Sequence, residues 1–200
     1  MPGAPCGKSV SRFAVLAMLF LAGCAAPAKR SYVQTNPASS DSHAYALLFD
    51  LLGDEKDVSK LLIVKHERPE LGVLIKQISR VAGEAHKHLE ALGKSDPTLN
   101  LKDLGLPSGE IEARKAISKT KRKELLAEKG KEFEVRLLLS QNEALTYGAH
   151  LARIIAPTES NPTRAQLMQQ LDKDLTELQQ RVFQMILSQL SSGAQAHPSQ

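Results

Sequence analysis

The chain has 200 residues, of which 42% are apolar, 24% charged and 4% aromatic, with no tryptophan. That composition suits one globular domain with an aliphatic core. The formal charge of +4 falls to +2 once Lys8 and Arg12, in the amino-terminal leader, are set aside, which is too mild to imply a nucleic-acid partner.

Lys8 and Arg12 precede an uncharged segment from Phe13 to Ala22, and small residues and Cys24 follow. Basic, apolar and small in that order is the pattern of an export signal, and about ten apolar residues are too few to span a bilayer. Leu21-Ala22-Gly23-Cys24 resembles the lipobox of bacterial lipoprotein precursors. The resemblance implies cleavage before Cys24, diacylation of its thiol and acylation of the new amino group. Residues 1–23 are then the signal peptide, and 24–40 the lipidated N-terminus and tether. Each buried methylene contributes about 0.8 kcal/mol, so two or three acyl chains hold a protein that one chain would hold only reversibly. Ala25 after the cysteine, in place of Asp, is similar to the enterobacterial sorting signal for the outer membrane. The expected location is therefore that membrane, on its periplasmic side. Cys6 leaves with the leader and Cys24 becomes a thioether, so no thiol remains for a disulfide, a zinc site or a nucleophile.

From Ala25 to Ser40 the sequence AAPAKRSYVQTNPASS has no sustained period and reads as a tether, with a reach of roughly 20 to 25 Å. Asp41 or Ser42 suits a helix cap, and Ala44, Leu47, Leu48, Leu51 and Leu52 follow at helical spacings. Gly53 interrupts before Val58, Leu61 and Leu62 carry the stripe toward His66, which predicts a kinked or split first helix. Pro69 fits the first turn of a second helix, because its missing N–H costs nothing there. That helix shows Leu71, Leu74, Ile75, Ile78, Ala82, Ala85, Leu89 and Leu92 on one face and is predicted to stop at Gly93.

The segment GKSDPTLNLKDLGLPSG reads as a crossing loop. A third helical region is predicted from about Ser108 to Ile155, with Gly130 as its weak point and Phe133, Leu137, Ala144, Gly148, Leu151 and Ile155 on one face. Asn161-Pro162 marks the start of the last helix. There Met168, Leu171, Leu175, Leu178, Val182 and Met185 alternate steps of three and four, the seam of a bundle or of a coiled coil shared between chains. The tail, 191–200, has no pattern. The fold class read from this is all-α: an antiparallel four-helix bundle over 41–190. Pro69, Pro97, Pro107 and Pro157 argue against one elongated coiled coil.

The leader, the histidines late in the second helix, the loop Leu104-Gly105-Leu106-Pro107 and Gly130-Lys131-Glu132-Phe133 opening a long helix are together similar to an uncharacterised bacterial group of secreted ferritin-like bundles. The histidine that group carries about twelve residues after the phenylalanine falls near Leu145 here. Ferritin-like metal sites combine Glu from two helices with Glu-x-x-His from two others, and this chain has no Glu-x-x-His. The nearest substitutes are Glu84 and His86, with His88, on the second helix, and Glu143 and His150 on the third. At about 100° per residue, His86 and His88 flank the apolar face and point apart. Glu143 and His150 share a stripe with Arg136 and Tyr147, away from the apolar face.

The basic run Arg114 to Lys131 is the other candidate, with Lys119, Lys121, Arg122 and Lys123 at its centre and Glu110, Glu112, Glu124, Glu128 and Glu132 among or beside them. Clustered cations suit an anionic partner in the envelope. Signatures of haem attachment, phosphate loops, zinc proteases and serine hydrolases are absent. The expected function is a lipid-anchored envelope protein that binds or scaffolds without catalysis. It needs no cofactor beyond the lipid on Cys24, and it contacts the membrane and an envelope protein. The alternative is a ferritin-like redox or storage protein holding metal through Glu84, His86, Glu143 and His150.

Overall fold

The computed structural model describes residues 37–63, 65 and 67–194. Cys24, the leader, the tether before Pro37, His66 and residues 195–200 lie outside the described residues. What is described is all-helical: α1 (Pro37–Glu55), a 3₁₀ segment (Val58–Ile63), α2 (Pro69–Ser95), α3 (Ser108–Ala127), α4 (Gly130–Ile155) and α5 (Pro162–Ala194).

Helix α1 starts at Pro37, so the last four residues assigned to the tether are helical. Gly53 does not interrupt α1. A side chain there would press on His86, 3.4 Å from the ring Nε2, so the glycine lets α2 approach. Helix α2 begins at Pro69, as predicted, and runs past Gly93 to Ser95. Of its predicted stripe, Leu71 through Leu89 are buried and Leu92 is half-buried.

The third helical region is two helices, not one. Glu128 and Lys129 are extended, and Gly130 has φ +54°, a left-handed conformation that L side chains resist. The chain therefore reverses: Lys121 meets Glu143, Glu124 meets Arg136, and α3 runs antiparallel to α4. Gly105 is the second left-handed glycine, with φ +63°. A Cβ there would clash with the His43 ring, so only glycine lets the loop before α3 lie against α1.

Helix α1 packs on α2 and α4, α4 packs most extensively on α5, and α5 also meets α2. Each of these pairs is antiparallel, as two contacts along each record: Phe49 with His86 and Lys56, just past α1, with Ser79; Leu51 with Gly148 and Glu55 with Gln141; Glu134 with Gln189 and Asn142 with Gln179; Gln77 with Arg181 and Asp96, at the end of α2, with Arg164. Met168, Leu171, Leu175, Leu178 and Val182 are at most 4% exposed. The α5 seam thus closes inside one chain and is not left open for a second. Gly148 sits where α4 comes nearest its neighbours, since a Cβ there would be 2.9 Å from Leu51 and 3.1 Å from Leu175.

Candidate functional site

The polar stripe on α4 is the surface on which α3 rests. Arg136 reaches Glu124 and Glu128 at 3.3 Å each. Glu143 pairs with Lys121, and the Arg114 guanidinium sits 5.6 Å above the Tyr147 ring. Leu125 is the one buried side chain of α3. The stripe was legible as polar and off the core face. Its partner was not, because the predicted third helix ran straight through the reversal that brings α3 back.

The four proposed metal ligands are not brought together. Glu84 is exposed and pairs with Arg80 one turn away at 3.1 Å. His86 faces α1, stacked on Phe49 with ring centroids 4.2 Å apart and with Lys56 Nζ 3.3 Å from its Nε2. Burial, and then the neighbouring Lys56 charge, lower the pKa of that imidazole, which favours the neutral, stacked form. Glu143 faces α3, and the exposed His150 places Nδ1 2.8 Å from the Thr146 carbonyl on its own helix. Leu145 is buried among apolar side chains. Among the described residues, no three His, Cys, Asp or Glu side chains are grouped to hold a metal ion.

The basic centre of α3 divides by position on the helix. Lys121 turns inward to Glu143. Lys119, Arg122 and Lys123 are exposed, and they fall with Lys115 and Leu126 on the flank turned away from Glu110 and Glu124, where Glu112, paired with Lys115 at 3.1 Å, is the one acid. Among the described residues none of these three makes an ion pair within 4 Å. Arg122 is near enough to α1 to lower the pKa of Asp54, although burial and then Asp50 outweigh it and the net shift is upward.

Three buried polar contacts were not anticipated from the sequence. Glu134 accepts hydrogen bonds from Arg68 N (2.9 Å), Arg68 Nε (2.8 Å) and Gln189 Nε2 (3.0 Å), fixing the start of α2 to α4 and α5. At the other end Arg164 bridges Asp96 (2.7 Å) and Glu159 (3.2 Å), while Tyr45 donates to Glu159 at 2.7 Å. In mid-bundle the Glu55 carboxyl meets Gln141, and burial pushes its pKa up to about 7. Glu134, Gln189 and Gln141 occur at core-facing helical positions where periodicity leads one to expect carbon, and Arg68, Asp96 and Glu159 lie at helix caps or in a loop, so nothing short of the packing marks them. Open space lies along the α2/α5 seam, as cavities of about 310 and 870 Å³ with Leu171, Met168 and Met185 in their walls and Glu84, Asp174 and Glu177 at the rim.

Comparison of the chain with family models, with curated proteins and with solved structures finds no match to any of them.

Proposed function

We propose that the protein is a lipid-anchored component of the bacterial envelope, held through Cys24 at the outer membrane and facing the periplasm. Its folded part is an antiparallel four-helix bundle of α1, α2, α4 and α5, with α3 strapped along α4. It binds rather than catalyses, and its binding surface is the cationic flank of α3. The anchor rests on Leu21-Ala22-Gly23-Cys24. The bundle is supported by the four antiparallel contacts that close α1, α2, α5 and α4 into a ring.

The observation that carries the binding surface is the division of charge on α3. Lys121 and Arg114 are used against α4, whereas Lys119, Arg122 and Lys123 are presented outward. Cations on the unpacked side of a helix attract anionic groups at a range set by ionic strength, about 8 Å in physiological salt. The partner is an anionic group of the envelope.

Two measurements test this separately. Cys24→Ala is expected to release or mislocalise the protein, and unchanged membrane fractionation refutes the anchor. Pull-down of the native membrane-bound protein is expected to retain a partner that Lys119→Glu/Arg122→Glu/Lys123→Glu loses and that raised salt elutes. Retention by the triple variant refutes the binding surface.

A further inference from the structure

From Val182 to Ala194, α5 has no charged residue, in a chain of which 24% is charged. Within that stretch Phe183, Leu187 and Leu190 recur at steps of four and three and are 46%, 43% and 64% exposed. They do not belong to the internal seam: Val182 and Gln189 face the core, and these three look along the α4 side. The hydrogen bonds Asn142–Gln179 and Glu134–Gln189 fix the register of the two helices. Leu139, 53% exposed, therefore lies level with Phe183, and the half-buried Val135 level with Leu187.

Single exposed leucines are ordinary on a protein surface, whereas the largest contiguous apolar patch of a chain, typically about 300–600 Å², is often functional. With about 150–200 Å² per large side chain, these exposures leave on the order of 350 Å² of apolar surface in one patch. A standard interface buries about 800 Å² per partner around a core poor in charge and enriched in aromatic residues. The patch covers less than half of that area, and it has the charge-poor composition of such a core. Uncharged side chains, Gln180 and Gln184, flank it on α5.

We propose that this α4/α5 face is a two-fold homodimer interface. In a two-fold contact each surface meets its own copy, so a surface of one charge repels itself. The cationic flank of α3 fails that requirement. The α4/α5 face meets it, because the two charged residues of α4 level with Leu190, Lys131 and Glu132, are of opposite sign. Two α5 helices cross antiparallel near Leu187, which sets Phe183 of one copy against Leu190 of the other. The step from 183 to 190 is about 10 Å along the helix, so the two contacts fall symmetrically about the crossing.

The test is the mass of the full chain in mild detergent, by sedimentation equilibrium with the detergent density-matched, together with oxidative cross-linking of Leu187→Cys in intact membranes. A dimer is expected, and Leu187→Glu is expected to weaken it by about a hundredfold, since it sets two carboxylates face to face. Leu187 is half-exposed in the single chain, so this variant is expected to keep its helical circular dichroism. Phe183→Ser supplies a second, uncharged disruption. Ile117→Glu and Ile117→Cys, at an exposed apolar residue of α3, are expected to leave the mass unchanged and to give no cross-link. The proposal is overturned if the native chain is monomeric and Leu187→Cys does not cross-link in membranes, or if Leu187→Glu remains dimeric. A chain that does not cross-link but whose Phe183 and Leu187 are shielded in vesicles overturns it in favour of a lipid contact.

Discussion

Glu55 and Gln141 meet in the core between α1 and α4, each with an oxygen that lacks a partner. Glu55 Oε2 and Gln141 Oε1 are both buried and accept no hydrogen bond within the described residues, although the Gln141 amide does bond the Glu55 carboxyl. Two acceptors without a donor are costly in a low-dielectric interior. A proton on Glu55 removes the buried charge and leaves one fewer unpartnered acceptor.

This gives the fold a pH dependence with a definite sign. Burial raises the Glu55 pKa from 4.5 to about 7, against the opposing Gln141 bond. The folded state therefore holds the proton more tightly than the unfolded chain. The stabilisation is complete below about pH 4.5 and is lost as pH rises to about 7, an effect on the order of 3 kcal/mol. Asp54, also raised, acts in the same direction. His86 is lowered and acts oppositely, losing stability as pH falls below its ordinary range. Urea unfolding of the wild type is expected to show higher stability at pH 5 than at pH 8. Glu55→Gln is expected to remove most of that difference, and a variant with the same pH profile as the wild type refutes the assignment.

The two left-handed glycines are expected to differ in cost. Nothing lies within 4 Å of a Cβ placed on Gly130, so Gly130→Ala bears only the backbone penalty, about 1 kcal/mol. Gly105→Ala adds a clash with the His43 ring and is expected to cost about 2 to 4 kcal/mol. Equal shifts in the urea midpoint for the two variants contradict this reading.

How much of this was legible can be judged at those glycines. The apolar stripes of α2 and α5 were readable because a period of 3.6 directs side chains to one face wherever helices pack side by side. Gly130 was readable as a weak point but not as a reversal. A glycine inside a helical pattern is compatible with a bend, a cap or a turn, and only the positive φ distinguishes them. Among the candidate ligands, the missing Glu-x-x-His already separated Glu84, His86, Glu143 and His150 from the ferritin pattern. The stacking of His86 on Phe49 depends on how far α1 and α2 slide past each other, which spacing along one helix does not encode.

Glu134 tests the buried polar contacts. It is 6% exposed and serves three donors on α2 and α5. Glu134→Ala leaves Arg68 N and Gln189 Nε2 without their acceptor and is expected to cost about 2 to 4 kcal/mol. Glu84→Ala, which removes an exposed pair with Arg80, is expected to change stability by no more than about 0.5 kcal/mol. Chemical denaturation of the two variants side by side checks the contrast, and a mild Glu134→Ala shows that water replaces the lost carboxylate.

Helix α3 is expected to be the least protected of the five. It buries Leu125 and otherwise holds to α4 by exposed or half-exposed ion pairs, Arg136 with Glu124 and Lys121 with Glu143, contacts worth about 0 to 1 kcal/mol each. Helix α4, by contrast, buries eleven residues from Phe133 to Ile155. Lys65 Nζ adds hydrogen bonds to the Leu126 and Glu128 carbonyls at 2.6 and 2.7 Å, which hold the end of α3 where its own carbonyls lack helical partners. Local opening of α3 should therefore need far less free energy than global unfolding. Native-state hydrogen exchange is expected to show α3 amides exchanging well before those of α4 and α5, from the Ser108 end inward. Leu125→Ala is expected to cost about 2 to 3 kcal/mol. Because the other four helices keep their mutual contacts, that loss should speed exchange in α3 and leave the slowest amides of α4 and α5 close to their wild-type order. Uniform protection across all five helices, or acceleration spread equally through α4 and α5, means that α3 unfolds only with the rest of the domain.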